Sequence, residues 1–348
     1  MNNISLKNIL NHLQSKKLLD EAGQEKIQTY LNQKESQQKT PWYIKMFITF
    51  GAWIAAGCFI AFLAISGLMP QDERSLIAMG IIFLAIAVVL YSNVHNIFFA
   101  QLALAVSVLG HIMTFMGVYG LVDETFIIPL TALILCFILY PLYKDSLHRF
   151  LSCLVVTAST TGWLIESELH QGIHVLLFLE IFGVGLIFTH YWDNKKLYPL
   201  AYALAVSVPL TLLLVLVPHE TIETIWWPSN IILILGVLYL YKWALGEKTA
   251  FLKTEPAILA IIGTIAIGLL STPGVIAAIG LLVLGYVLYD KALLGLGMAF
   301  FPVFIIVYYY DLDVDLLTKS WILISSGTIL LFFRWYINYR PWAKEKSA

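Results

Sequence analysis

Apolar stretches recur along the chain at lengths near those that cross a bilayer, separated by short polar loops. The pattern predicts membrane segments over residues 46–68, 75–91, 96–118, 126–142, 147–165, 171–191, 197–217, 226–245, 257–271, 274–288, 292–310 and 320–338. Ser271-Thr272-Pro273-Gly274 reads as a tight hairpin, because 257–288 is too long for one span. The fold class is therefore all-α, a polytopic transmembrane helix bundle of about 12 helices over residues 41–340. Residues 1–40 are polar and carry Leu6, Ile9, Leu10 and Leu13, then Ile27, Tyr30 and Leu31, at helical spacing. They predict a short cytosolic helical hairpin and linker, while 341–348 is a cytosolic tail. The first apolar run is too long for a cleaved signal and reads as an uncleaved anchor.

Charge orients these segments. Of the 21 Lys and Arg residues, all but Arg74 and Lys319 lie in the N-terminal tail, the C-terminal end or alternate loops. The intervening loops are acidic: Asp72 and Glu73, Asp123 and Glu124, Glu166 and Glu168, Glu220 and Glu223, then Asp311, Asp313 and Asp315. The positive-inside rule then places both termini in the cytoplasm. Trp42, Trp192, Trp226, Trp227, Trp243, Trp335 and Trp342 fall near the predicted interfaces, as an aromatic belt does.

Composition narrows the function classes. Only 12% of residues are charged and mean hydropathy is +0.81, so the bilayer itself is the first partner. Net charge is −1, which gives no basic field for nucleic acid. Cys58, Cys136 and Cys153 have neither zinc-site nor disulfide spacing and read as buried structural thiols. The sequence has no Walker A, HExxH or GxSxG pattern and no paired intramembrane Asp, so it predicts no catalytic residues, no cofactor and no enzyme.

Polar residues inside the apolar segments are the remaining signal. Glu180 is the one acidic residue deep within a segment, where insertion of a carboxylate costs about 2.5–3.5 kcal/mol. It reads as a proton- or cation-coupling site, or else as a carboxyl hydrogen-bonded to a neighbouring helix. Gly183, three residues on, shares its face and permits close helix approach. Ser107, His111 and Thr114 form a short stripe at i, i+4 and i+7 that should face the bundle interior. That stripe is either part of the same polar or proton site as Glu180 or interhelical glue.

Thr157, Ser159, Thr160 and Thr161 read as packing glue, as do the pairs Gly51/Ala55 and Gly274/Ala278. Pro209 and Pro302 are kink candidates. Ala103-Leu-Ala-Val-Ser-Val108 recurs as Ala203-Leu-Ala-Val-Ser-Val208, either a parallel repeat or chance among simple residues. In the last outer loop, Tyr309, Tyr310, Asp311, Asp313, Asp315 and Lys319 form a partner-docking loop or an interfacial cap, with Lys319 placed to pair with Asp313 or Asp315. The loop lacks the Gly and the later Glu of a calcium-binding EF-hand, so no metal is assigned.

The C-terminal part carries a resemblance. Gly285-Tyr-Val-Leu-Tyr-Asp-Lys291, Phe300 and Phe301, Tyr309-Tyr310-x-Leu312, Leu316-Leu317-x-Lys319-Ser320, Gly327 and Arg334 resemble domain-of-unknown-function family 4401, bacterial integral membrane proteins. The N-terminal hairpin and first helices resemble family 2157. The resemblance implies a partner, a periplasm-facing membrane protein with a Gly-Asp-Tyr motif, and implies no catalytic residues. Together these readings favour a transporter-like protein working with a periplasmic-side partner. A non-transporting scaffold or envelope-assembly component is the rival, and a lipid-modifying enzyme the remotest reading.

Overall fold

The computed structural model describes residues 42–93, 96–216, 226–245, 255–311 and 315–339. The expected N-terminal hairpin over 1–40, the 341–348 tail and Asp313 lie outside these described residues. Contacts divide the chain into two compact units, Met1–Leu121 and Val122–Ala348.

In the first unit lie α1 (Trp42–Ile65), α2 (Glu73–Asn93) and α3 (Ile97–Val122, whose last residue passes the boundary). The second holds α4 (Ile127–Leu142), α5 (Ser146–Glu166), α6 (His170–His190), α7 (Tyr198–Leu216), α8 (Trp227–Leu245), α9 (Glu255–Leu270), α10 (Pro273–Leu288), α11 (Lys291–Asp311) and α12 (Leu316–Tyr339). A 3-10 turn, Lys195–Leu197, precedes α7. These helices match the apolar stretches of the sequence to within a few residues at each end.

Loop Asp and Asn residues set several of the helix starts. Asp72 accepts from the Ser75 amide at 2.9 Å, Asn96 from Phe98 at 3.0 Å, and Asp145 from His148 at 2.8 Å. Asp290 accepts from Ala292 and Leu293, and Asp315 from Thr318. Each satisfies a first-turn N–H that the helix cannot pair internally. Pro273 opens α10 at its first position, where a missing N–H costs nothing, so Ser271 and Thr272 separate two helices as the sequence predicts. Pro209 and Pro302 lie inside the continuous helices α7 and α11.

Among the described residues, seven helices are long and apolar enough to cross a membrane, by length and composition. They are Met46–Leu63, Glu73–Asn93, Ile97–Val122, His170–His190, Lys195–Val215, Trp227–Leu245 and Lys291–Tyr310. Ile127–Leu142, Ala257–Leu269 and Pro273–Leu288 are apolar but shorter. Sixteen residues, as in α4, make a rod of about 24 Å against a hydrocarbon core of about 30 Å. The large apolar side chains left exposed, such as Phe137, Phe182 and Leu235, are those that meet lipid in a membrane protein.

The core of the second unit is a helix sandwich around α10. Leu177, Leu212, Leu233, Val237, Ile276 and Phe304 form one buried cluster, and Phe188, Ala201, Ala205, Leu240, Leu281 and Leu284 form another. Gly274 lies against the ring of Phe304 with no room for a Cβ, so the small-residue face expected there packs α10 on α11. Gly51 has no neighbour within 4 Å of a Cβ, and the corresponding expectation for α1 gains no contact among the described residues.

Candidate functional site

Three helices of the second unit converge on Glu180. Spacing explains why. Thr157 and Thr161 on α5 are separated by four residues, as are Ser207 and Thr211 on α7, so each pair occupies one face. All four are buried, and Glu180 of α6 is only 1% exposed. Gly183 makes the approach close: a Cβ there would lie 2.7 Å from Leu204 of α7.

Thr211 donates its hydroxyl proton to Glu180 Oε1 at 3.1 Å, and its own oxygen lies 3.3 Å from the Thr161 hydroxyl. Thr161 also reaches the Thr157 carbonyl at 2.9 Å. Each hydroxyl has one proton to give. The Thr161 proton points to the Thr157 carbonyl and the Thr211 proton to Glu180, so the Thr161–Thr211 contact sets no direction. The Ser207 hydroxyl interacts with the same carboxyl while donating to the Leu204 carbonyl. Glu180 Oε2 is buried without a hydrogen-bond partner among the described residues. A buried acceptor left so is uncommon in a folded protein.

The Ser107–His111–Thr114 stripe lies in the first unit and is built differently. Ser107 and Thr114 are buried, but His111 is only half-buried. The His111 ring nitrogen Nδ1 pairs with the Ser107 carbonyl at 2.8 Å, and Thr114 donates to the Gly110 carbonyl at 2.7 Å. Gly80 of α2 lies against Thr114, and a Cβ on it would fall 2.8 Å from the Gly110 carbonyl. Gly117 repeats this contact one turn on, against the Glu73 carbonyl and Ile77. This stripe serves a tight α2–α3 contact. His111 and Glu180 belong to separate units.

The remaining predicted residues are placed as follows. Tyr309 and Tyr310 close α11 with rings edge to face, 5.5 Å apart. Lys319 sits over the Tyr309 ring at 5.2 Å, a cation–π contact, while Asp315 caps α12. Asp311 is the last residue of α11. Cys153 is buried and its sulfur lies 3.8 Å from that of Cys136, a contact that spacing alone did not suggest. Cys58 is exposed on α1, contrary to the expectation of a buried thiol.

Sequence reasoning missed Ser207 and Thr211 as site residues. Their i, i+4 spacing on an apolar helix is the same signal that singled out Ser107 and His111. It also missed the polar pairs His174–Ser229 at 2.7 Å, Tyr241–Thr264 at 3.0 Å and Tyr202–Asp290. Among the described residues no group of three or more His, Cys, Asp or Glu converges to hold a metal ion.

No curated protein and no solved structure matches the chain. One family model does, over residues 41–340, which is most of the chain. The match begins at residue 41 and leaves the likeness of the N-terminal region to family 2157 without support. With its apolar helices and this match, the chain is a membrane protein of the family described as Domain of unknown function (DUF4401).

Proposed function

We propose that this protein is a transporter-like inner-membrane protein in which Glu180 takes up and releases a proton or a small cation. The observation that carries the reading is the pairing at Glu180: one carboxyl oxygen accepts from Thr211, and the other is buried with no hydrogen-bond partner among the described residues. Ionisable groups buried among membrane helices commonly mark such pathways. In this reading all twelve helices span, with both termini in the cytoplasm. Alternation of Lys and Arg between loops supports that orientation. The short α10 is largely buried against other helices, which lessens its mismatch with lipid. The Tyr309–Lys319 segment docks a periplasm-facing partner through the exposed Tyr310 ring.

The scaffold reading is the rival, and the tight enclosure of Glu180 is what favours it. Glu180→Gln keeps the shape and removes the titratable group. In a deletion strain this variant is expected to fail to complement, at wild-type membrane abundance and with partner co-purification intact. His111→Gln is expected to complement. Full complementation by Glu180→Gln would leave only the scaffold.

A further inference from the structure

A second feature of α6 lies away from Glu180. A groove of about 420 Å³ runs between α6 and α8, with α7 and α10 forming its floor. That volume is within the roughly 300–1,000 Å³ of small-molecule sites. Its rim is exposed at Phe178 and Phe182 of α6 and at Leu235 and Tyr239 of α8, so it opens on the face that meets lipid. Glycines create the space: Gly185 and Gly236 line it, and a Cβ at Gly185 would meet only the Tyr239 ring, at 3.8 Å.

Length and polarity identify the occupant. Along α6 the groove extends from Phe178 to His190, about 18 Å, close to one leaflet of a core about 30 Å thick. Its lining is apolar until the far end, where it meets hydrogen-bonding groups. There Thr189 lies 2.7 Å from His190 Nδ1 and 3.2 Å from the Tyr239 hydroxyl.

The same end of the unit is basic. Lys195 and Lys196 follow α6, and Lys242 lies one turn beyond Tyr239. Lys144, Arg149 and Lys291 belong to the neighbouring loops and helix starts, which the Tyr140–Lys196 and Tyr202–Asp290 hydrogen bonds tie to this end. The acids there among the described residues are Asp145, Asp193, Asp290 and Glu255, of which Asp145 and Asp290 are occupied as helix caps. An apolar slot one leaflet deep, ending in hydroxyl, imidazole and ammonium groups, matches an acyl chain joined to an anionic headgroup.

We infer that the α6–α8 groove holds one acyl chain of an anionic phospholipid, its phosphate placed at Thr189, His190, Tyr239 and Lys242. The site is independent of what Glu180 does, since it uses the opposite side of α6. The full chain in nanodiscs of mixed phosphatidylglycerol and phosphatidylcholine provides the test, read by native mass spectrometry. One phosphatidylglycerol is expected to remain on each wild-type chain, in preference to phosphatidylcholine.

Gly185→Leu fills the groove and is expected to lower retention about tenfold, judged by the loss of several buried methylenes. Tyr239→Phe combined with Lys242→Gln leaves the groove shape intact and is expected to lower the phosphatidylglycerol preference about fivefold. Phe137→Leu, on the exposed surface of α4, serves as the control and changes neither quantity. Equal retention of the two lipids by wild type would overturn the inference. So would unchanged retention by both groove variants. A mass of two chains that Gly185→Leu removes would instead assign the groove to a second copy of the protein. Should Gly185→Leu fail to fold, the Tyr239/Lys242 variant decides alone, because both side chains are exposed.

Discussion

The polar stripe of α3 and the polar knot around Glu180 begin as the same signal, a few polar residues on one face of an apolar helix, and end as different objects. On α3 the polar atoms of His111 and Thr114 meet carbonyls of their own helix four residues back. Glycine then brings α2 against that face. Around Glu180 the bonds join three helices, and the sequence separations are 31 and 50 residues. A helix can satisfy a hydroxyl or an imidazole from its own backbone, but a carboxylate only accepts and must recruit donors from elsewhere. The difference in residue chemistry decides which stripe pairs within its own helix and which pairs across helices.

The comparison is broken most forcefully at the glycines. Gly80→Leu puts a side chain into Thr114 and the Gly110 backbone, where no rotamer relieves the clash. It is expected to destabilise by about 3 kcal/mol. Gly162→Ala, in the second unit and without neighbours within 4 Å, is expected to stay within about 0.5 kcal/mol. Thermal unfolding in detergent measures both. Equal midpoints for the two variants would show that the α2–α3 contact is not the tight joint described.

Next in size is the coupling across the Glu180 knot. Thr211→Val removes the donor to Oε1 and is expected to cost about 0.6–2 kcal/mol. In a double-mutant cycle with Glu180→Gln the two changes should be non-additive by about 0.6–1.7 kcal/mol. The parallel cycle of Ser107→Ala with Thr114→Ala should be additive to within about 0.3–0.5 kcal/mol. Coupling of similar size in both cycles would erase the distinction between a network and a local stripe.

The smallest effect should be the same in both units, because it comes from helix caps alone. Asp72 is held below its ordinary value of 3.8 by the Ser75 amide, and Asp315 below 3.8 by the Thr318 hydroxyl and amide. A depressed native value means that the unfolded chain binds protons first as pH falls. The stabilisation is therefore whole above 3.8 and is lost as pH drops through the lower native values. Asp72→Asn combined with Asp315→Asn should flatten the acid limb of a midpoint-against-pH curve slightly. Parallel curves for variant and wild type would show that these caps add nothing.

Much of the fold was legible in advance because helix-forming apolar runs and their punctuation are local properties. Asp145, Asp290 and Asp315 each stand immediately ahead of the helix they cap, and Pro273 stands at the first position of α10. Glu180 was legible for the same reason: a carboxyl amid apolar residues is conspicuous. Its donors were not. Ser207 and Thr211 are ordinary in a membrane helix, where hydroxyls are usually satisfied by their own backbone, as Thr160 is at 2.7 Å. The Lys319–Tyr309 contact was hidden too, because an ammonium between carboxylates and rings has several partners of similar strength.

From the order of residues alone come the helices, their ends, their expected orientation and the carboxyl of Glu180 set among apolar residues. All of these follow from hydrogen bonding and desolvation within a single segment and from charge in a single loop. Pairing is decided by packing between segments distant in the chain. Gly183 and Leu204 set how closely α6 meets α7, and that distance brings Thr211 within reach of Glu180. The groove on the other side of α6 arises in the same way, from Gly185 and Gly236 on different helices. Neither the knot nor the groove exists in any one helix, and so neither could be seen until the helices were together.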